Sequence, residues 1–174
     1  MAFSLPADLA TNWADNVGMI ENATYLNAVG AMNNAIKAAL LGTVNGTAQA
    51  VVATQETTTS TSYTDLTTTT DTVTVTIGAS GMAMVLLYAA IGNTTAGAIS
   101  YVSYAVSGAN TIAASDAQSL YFQIASGAGN AGASGTMFFL TGLATGSTTF
   151  KMKYRVSANT GNFANRRIAV IPWF

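Results

Sequence analysis

The sequence contains no cysteine and no histidine among its 174 residues. Without cysteine, the chain can form neither a disulfide framework nor a thiolate nucleophile. Without histidine, it lacks the commonest general base of enzymes and the commonest zinc ligand. The two absences argue against most hydrolases and metalloenzymes, so we expect a protein that is not an enzyme and that holds no cofactor.

Charged residues are also scarce. They make up 7% of the chain, with a net charge of −1, whereas about a quarter is typical of soluble domains. This charge gives no electrostatic reason to bind nucleic acid or an anionic membrane. Because half of the residues are hydrophobic, so few charges are a weak basis for a soluble monomer. We therefore expect partner chains to cover part of the apolar surface.

Long apolar runs are missing as well. The longest, from Met82 to Ile91, is about half of the length that spans a bilayer. The first 18 residues lack the basic start and apolar core of a secretory signal. These features predict a soluble protein without an export signal.

What the sequence does have is β-strand patterning. Residues 57–78 are rich in threonine, which as a β-branched residue suits a pleated surface. Their last third alternates Val73, Val75 and Ile77 with threonines, which is typical of a strand with one buried and one wet face. We predict strands at 60–66 and 72–77, joined as a hairpin by the loop DLTTTTD.

Further short strands follow, separated by turns that contain glycine or asparagine. The continuously apolar stretch 82–90 is typical of a strand buried on both faces. The predicted set comprises residues 51–55, 60–66, 72–77, 82–90, 99–106, 119–125, 135–143, 148–157 and 166–173. Such a series predicts a mainly β protein, with an antiparallel β-sandwich of jelly-roll type over residues 50–174.

A helical period governs residues 21–42. Large apolar side chains recur there every three or four residues, at Tyr25, Val29, Met32, Ile36 and Leu40. This spacing predicts a helix with a narrow stripe close to a heptad seam, which Gly42 can end. A helix this short needs a packing partner, which is either its own body or copies of itself. Residues 43–49 are interpreted as a linker.

Residues 1–20 form a separate N-terminal arm in this interpretation. They carry large apolar side chains without a sustained period, at Phe3, Leu5, Leu9 and Trp13. Apolar side chains on an irregular arm need a surface to dock against. That surface is either the body of the same chain or another protein, for which the arm is an anchor.

Few residues have the pattern of a catalytic or ligand site. Asp65 and Asp71 flank one predicted loop, where paired carboxylates serve glycosidases or bind Ca²⁺, but aspartate is also an ordinary turn residue. Five of the six cations lie near the C-terminus, at Lys151, Lys153, Arg155, Arg166 and Arg167. They are interpreted as a solvated sheet face or as a contact with acidic groups. Trp173 is expected to fill the core.

Several segments together resemble a known group of proteins. These segments are ATYLNAVGAMNNAI, STSYTDL, TVTVT, YVSYAVSGANTIAASDAQSL and FANRRIAVIPW. They resemble structural proteins from tailed phages of actinobacteria, in which similar modules are assigned to minor tail proteins and to capsid-decorating or head-fibre proteins. The resemblance covers most of residues 20–174 and includes no catalytic motif. It implies a virion surface protein with a jelly-roll sandwich that assembles as a trimer.

We accordingly expect a homotrimeric capsid decoration or head-fibre protein on the virion surface. The arm residues Phe3, Leu5, Leu9 and Trp13 would anchor it to the major capsid protein or another virion protein. The trimer interface would be formed by Tyr25, Val29, Met32, Ile36 and Leu40. The alternative is a minor tail protein, an adhesin whose loops 107–116 and 127–135 recognise host cell-wall glycan. We expect neither nucleic acid nor membrane as a partner.

Overall fold

The computed structural model describes residues 23–124 and 131–174, apart from the side chains of Ala23 and Tyr25. Over these residues the chain forms one α-helix, one short 3-10 helix at Asp116–Gln118 and nine strands. The helix is α1 (Ala23–Gly46). The strands are β1 (Ala48–Val52), β2 (Glu56–Thr58), β3 (Thr72–Ile77), β4 (Ala83–Asn93), β5 (Ile99–Gly108), β6 (Leu120–Gln123), β7 (Ala131–Leu140), β8 (Gly146–Val156) and β9 (Gly161–Pro172).

The strands form two antiparallel sheets. The first sheet has the order β1-β9-β4-β7, with β2 also paired to β9, and the second sheet has the order β3-β8-β5-β6. The pairs β1–β9, β3–β8, β4–β7 and β5–β6 nest like one long hairpin rolled into two layers, which is the jelly-roll arrangement. The predicted mainly β fold, an antiparallel sandwich of jelly-roll type with one preceding helix, is confirmed. The predicted arm, residues 1–20, lies outside the described residues.

The core lies between the two sheets, and strand alternation places it there. On β3, Val73, Val75 and Ile77 are buried as predicted, and on β8 every second residue from Phe150 to Val156 is fully buried. Aromatic rings join the layers: the centroids of Tyr154 and Phe163, from opposite sheets, are 5.0 Å apart. Each large apolar side chain buried in this way stabilises the fold by roughly 1.5–3 kcal/mol relative to exposure.

The predicted strand at 60–66 is wrong, and so is its hairpin with β3. Residues 59–71 instead form a long connection that crosses from the first sheet to the second. It bonds to β8 at separate points, among them the isolated bridge from Thr64 to Tyr154 and a bond from the Val156 amide to the Ser60 carbonyl. Local side-chain bonds explain the loss of regular pairing. The Ser60 hydroxyl donates to the Ser62 carbonyl at 2.6 Å and accepts from the Ser62 amide at 3.2 Å. Such bonds compete with a strand ladder.

The helix continues four residues beyond its predicted end at Gly42. It ends at Gly46 and β1 begins at Ala48, so most of the segment 43–49 that was predicted as a linker is helical. Tertiary contact explains the extension: the ring of Phe174 lies so close to Gly42 that an added Cβ would be 2.5 Å from it. This packing stabilises the last turn, which the Asn45-Gly46 sequence alone would tend to end.

The interpretation of 82–90 as a strand buried on both faces is wrong for the single chain. On β4 the inward residues Val85, Leu87 and Ala89 are buried, but Met84 and Leu86 are half-buried and Tyr88 is exposed. The outer face of the first sheet is therefore apolar without being fully covered.

A β-bulge shifts the pattern of β9. The register with β4 changes between the pairs Tyr88–Arg167 and Ala90–Ala164, and Asn165 has a φ of 49°. One extra residue on β9 lets both Phe163 and Arg166 point into the core. Bulges commonly re-aim a side chain in this way.

Candidate interaction surfaces

The helix carries an exposed row of apolar side chains. Five residues spaced by three or four positions are 36% to 61% exposed, and we call them the helix stripe: Val29, Met32, Ile36, Leu40 and Val44. At 1.5 Å per residue the 24-residue helix is about 36 Å long, and it touches the body mainly through β9. Four of the residues predicted as a trimer interface thus lie on one accessible row, while the side chain of Tyr25 is outside the description. The interface itself stays a prediction.

A second apolar surface covers the outside of the first sheet. Its most exposed members are called here the apolar face: Val51, Tyr88, Met137, Phe139 and Trp173. Met137 is 66% exposed and Phe139 52%. Strand pairing places them side by side with half-buried apolar residues, since Phe139 pairs with Met84 and Met137 with Leu86. The surface is continuous across β7 and β4.

The apolar face is not flat. A shallow hollow of about 380 Å³ lies between Gln49, Leu86, Met137 and Arg167. The guanidinium of Arg167 stands over the ring of Tyr88 at 5.7 Å from its centroid. Among the described residues, no carboxylate pairs with Arg167. Its cation therefore lies on the outer side of the first sheet without an ion pair.

The last two residues connect the helix and the apolar face. The ring of Trp173 meets Phe139 edge-on, with centroids 5.3 Å apart, and the next ring, Phe174, lies against the helix at Gly42 and Gly46. Trp173 is 39% exposed, so the expectation that it fills the core is wrong. It lies instead on the apolar face, beside Phe139.

The outside of the second sheet is different. Its cations, called here the charged face, are Lys151, Lys153 and Arg155, and each has an acidic partner from a loop. Asp65 binds Lys151 at 2.8 Å and Lys153 at 2.7 Å, and Asp116 accepts hydrogen bonds from Arg155 and, at 2.8 Å, from the Tyr63 hydroxyl. The guanidinium of Arg155 also lies 3.8 Å from the ring centroid of Tyr101.

These contacts shift the pKa of each acid on the charged face. Hydrogen bonds from Arg155 hold the pKa of Asp116 below its ordinary value of 3.8. Partial burial pushes the pKa of Asp65 upward, but the bonds from Lys151 and Lys153 outweigh it, and the pKa falls. Both carboxylates stay ionised at neutral pH, so the charged face neutralises itself.

The remaining cation of the C-terminal group is inside the protein. Arg166 is fully buried, with its Nη2 2.8 Å from Glu56 and its Nη1 3.4 Å from Asp71. The Tyr154 hydroxyl donates to the same Asp71 carboxylate. Thr68 bonds to Glu56 and, with Arg166, lowers the pKa of that residue despite the opposing effect of burial. This cluster ties β2, the 59–71 connection, β8 and β9 together.

The structure places the predicted site residues in different parts of the molecule. Asp65 and Asp71 belong to separate ion-pair clusters, the first with Lys151 and Lys153 and the second with Arg166. The five C-terminal cations do not form one face, because three lie outside the second sheet, Arg166 is internal and Arg167 lies on the first sheet. Phe3, Leu5, Leu9 and Trp13 lie outside the described residues.

Within residues 23–124 and 131–174, no three histidine, cysteine, aspartate or glutamate residues come together as a metal site requires. Over the same residues no helix is both long enough and apolar enough to cross a membrane.

Comparison with known proteins shows the fold. No protein-family model matches the sequence, and no curated protein does. VP2 of infectious bursal disease virus, in its subviral particle, is similar with a TM-score of 0.51 at 10% identity, covering 73% of this chain and 32% of VP2. The TNF Eiger of S. frugiperda gives 0.48 at 10% identity, covering 74% and 92%. Tailspike protein 4 of bacteriophage CBA120 gives 0.31 at 14% identity, covering 71% and 19%.

The likeness is one of architecture. The chain corresponds to about a third of the length of VP2, at an identity that shows a shared fold alone. The TM-scores of Eiger and of the tailspike domain are too low to support any inference. The resemblance to actinobacteriophage proteins stays a prediction.

Proposed function

We propose that this chain is a structural protein of a virion, without enzymatic activity, and specifically a homotrimeric capsid decoration or head-fibre protein. The observation that carries the proposal is the helix stripe. Five apolar side chains follow one side of the helix at near-heptad spacing and remain exposed in the single chain. Exposed rows of this kind are the contact surfaces of helical bundles.

The β body supports the same proposal. Jelly rolls build viral capsid and lectin domains, and here the charged groups of the body are engaged in ion pairs or, for Arg167, over an aromatic ring. The carboxylates of the body are each engaged with a cation: Asp65 with Lys151 and Lys153, Asp116 with Arg155, and Glu56 and Asp71 with Arg166. A rigid body with neutralised charges and exposed apolar surfaces suits a role in assembly.

The proposed attachment uses the N-terminal arm. Phe3, Leu5, Leu9 and Trp13 would dock on the major capsid protein or another protein of the outer shell. Three weak arm contacts on one trimer act at high effective concentration, so a threefold body would bind its shell tightly even when each arm binds weakly.

The helix contact is tested with a matched pair of double variants. Val29→Asp with Ile36→Asp places two charges on the helix stripe, and we expect monomers or aggregates by sedimentation. Ala31→Asp with Ala38→Asp places the same charges, at the same spacing, on exposed positions of the opposite side of the helix, and we expect a normal trimer. A trimer from both variants would contradict the helix interface.

The location is tested on particles. Removing residues 1–18 should leave a stable trimer that no longer joins the virion, whereas an unfolded product would show that the arm packs on its own body. Hundreds of copies per particle by imaging or quantitative mass spectrometry would support capsid decoration.

A tail adhesin is the second candidate, and one observation favours it. Tyr121 is 61% exposed and its ring centroid lies 5.9 Å from that of Tyr101, so the edge of the second sheet presents an aromatic pair of the kind that stacks on sugars. A handful of copies per particle, together with binding to host cell-wall glycan that Tyr121→Ala abolishes, would favour the adhesin.

A further inference from the structure

The outer side of the second sheet carries a row of three side chains on neighbouring strands. Tyr121 of β6 pairs with Tyr101 of β5, and Tyr101 pairs with Arg155 of β8. Because directly paired residues of antiparallel strands share a face, the three side chains stand next to one another at the strand spacing of about 4.8 Å. We infer that this row, called here the tyrosine row and flanked by Asp116 and Tyr63, is a binding site for a neutral saccharide chain.

The inference deepens the proposed function and rests on it in one respect, namely that the β body projects from the virion. It assigns a chemical class to the ligand and names the residues that hold it. It applies to a capsid protein as well as to a tail adhesin, because both would present the outer side of the β body to a cell surface.

Tyr121 provides the stacking surface. It is 61% exposed, and its ring lies at 40° to that of Tyr101, with the centroids 5.9 Å apart. Tyr101 is itself held by Arg155, whose guanidinium carbon is 3.8 Å from the ring centroid. The face of an aromatic ring is electron-rich, so it attracts the C–H groups on one side of a sugar ring. Tyrosine offers such a surface at a low cost in side-chain entropy.

Arg155 and Asp116 provide hydrogen-bonding groups beside the rings. Asp116 accepts bonds from Nε and Nη2 of Arg155 and from the Tyr63 hydroxyl. A carboxylate has about four acceptor positions and a guanidinium about five N–H donors, so both groups retain capacity. The Asp116 side chain is 54% exposed and that of Arg155 17%. Sugar hydroxyls match this pair, because each hydroxyl both donates and accepts.

The charges of the tyrosine row favour a neutral ligand. The Asp116 carboxylate binds the Arg155 guanidinium directly, so a cationic ligand would compete with Arg155. An anionic ligand that approached Arg155 would meet the exposed carboxylate of Asp116, and such like-charge contacts are costly. A neutral saccharide meets neither obstacle.

Binding is measured by biolayer interferometry with the immobilised full-length protein. The probes are three neutral polysaccharides, namely dextran, galactan and mannan, and one anionic polysaccharide, polygalacturonate. We expect saturable binding of at least one neutral probe, with an affinity at least tenfold higher than that for polygalacturonate.

Three variants locate the site. Tyr121→Ala should weaken binding at least tenfold, equivalent to 1.4 kcal/mol, and Tyr121→Trp should retain it, because the stacking surface is kept. Phe139→Ala is the matched control, since it removes an aromatic ring that is 52% exposed on the outer side of the first sheet. We expect its binding to equal that of the wild type. Sedimentation of each variant shows whether assembly is unchanged.

The outcomes separate this inference from the proposed function. A normal trimer that binds none of the neutral probes, or binds them equally well with Tyr121→Ala, would overturn the saccharide site and leave the helix contact standing. Stronger binding of polygalacturonate would overturn the neutral class. A wild-type monomer whose binding depends on Tyr121 would support the saccharide site and contradict the proposed trimer.

Discussion

The outer faces of the two sheets have opposite compositions within one small domain. Outside the second sheet, Lys151, Lys153 and Arg155 are paired with acids from two loops of the same chain. Outside the first sheet, Met137 and Phe139 stand exposed and Arg167 has no acidic partner among the described residues. In a chain with 7% charged residues, the two described sheets thus carry most of their exposed charge on one side.

The outer face of the second sheet is the one adapted to water. Ion pairs and threonines keep the second sheet solvated: the hydroxyls of Thr74 and Thr149 bond across β3 and β8 at 2.8 Å. The first sheet instead keeps its ion pairs on the inside, around Arg166. Contact with other protein is therefore expected on the first sheet, and the following predictions test the division.

The largest loss of stability is expected when the buried cation of the first sheet, Arg166, is removed. Arg166→Met would leave the carboxylate of Asp71, which is 2% exposed, without its cation. Removing one member of a buried ion pair lowers the free energy of unfolding by about 3–5 kcal/mol. Chemical denaturation at a fixed protein concentration measures this loss.

The neighbouring arginine is the matched control. Arg167→Met removes the same side chain from the outer side of the same strand, where we expect a change within about 0.5 kcal/mol. Adding Glu56→Gln and Asp71→Asn to Arg166→Met should recover part of the loss, because no buried charge is then left unpaired. If Arg166→Met and Arg167→Met lowered the free energy of unfolding equally, the assignment of Arg166 to the interior and Arg167 to the surface would be contradicted.

Acid should unfold the protein through its paired carboxylates. The pKa values of Glu56, Asp65 and Asp116 lie below their ordinary values of 4.5, 3.8 and 3.8. The stability they supply is complete above the ordinary values and is lost as pH falls through the lowered ones. Burial raises the pKa of Asp71, so among these four carboxyls Asp71 acts in the opposite direction.

The expected profile is flat near neutrality and falls below about pH 4. The chain has no histidine, the side chain that ordinarily titrates between pH 5 and 8. Denaturant midpoints measured from pH 8 to 2.5 test this profile. A loss of stability as the pH falls from 8 to 6 would count against the assignment of these carboxyls, because neither the lowered pKa values nor the raised pKa of Asp71 can produce it.

The sequence predicted the fold well because its strands obey the alternation rule. The alternation at Val73, Val75 and Ile77 correctly predicted which side of β3 faces the core. The alternation from Phe150 to Val156 did the same for β8. It failed at 60–66, where serine and threonine hydroxyls bond to the local backbone and their effect on pairing cannot be read from hydrophobic pattern.

The surfaces were harder to predict, although signals were present. Arg166 has the same parity as the buried Ile168 and Val170, so alternation alone would have placed it inside; grouping it with the other cations was the error. The apolar residues of 82–90 indicated two covered faces. Sequence could not tell that the described chain covers only one, because that depends on which residues the fold brings over the sheet.

The smallest effect is expected on the charged face. Asp65→Asn removes the common partner of Lys151 and Lys153, whose side chains are 29% and 23% exposed. Exposed ion pairs contribute roughly 0–1 kcal/mol, and salt should reduce the difference between variant and wild type further. Sedimentation should show an unchanged assembly, in contrast to Val29→Asp with Ile36→Asp on the helix stripe. If Asp65→Asn dissociated the protein while the helix variant did not, the charged side would be the one that meets a neighbour.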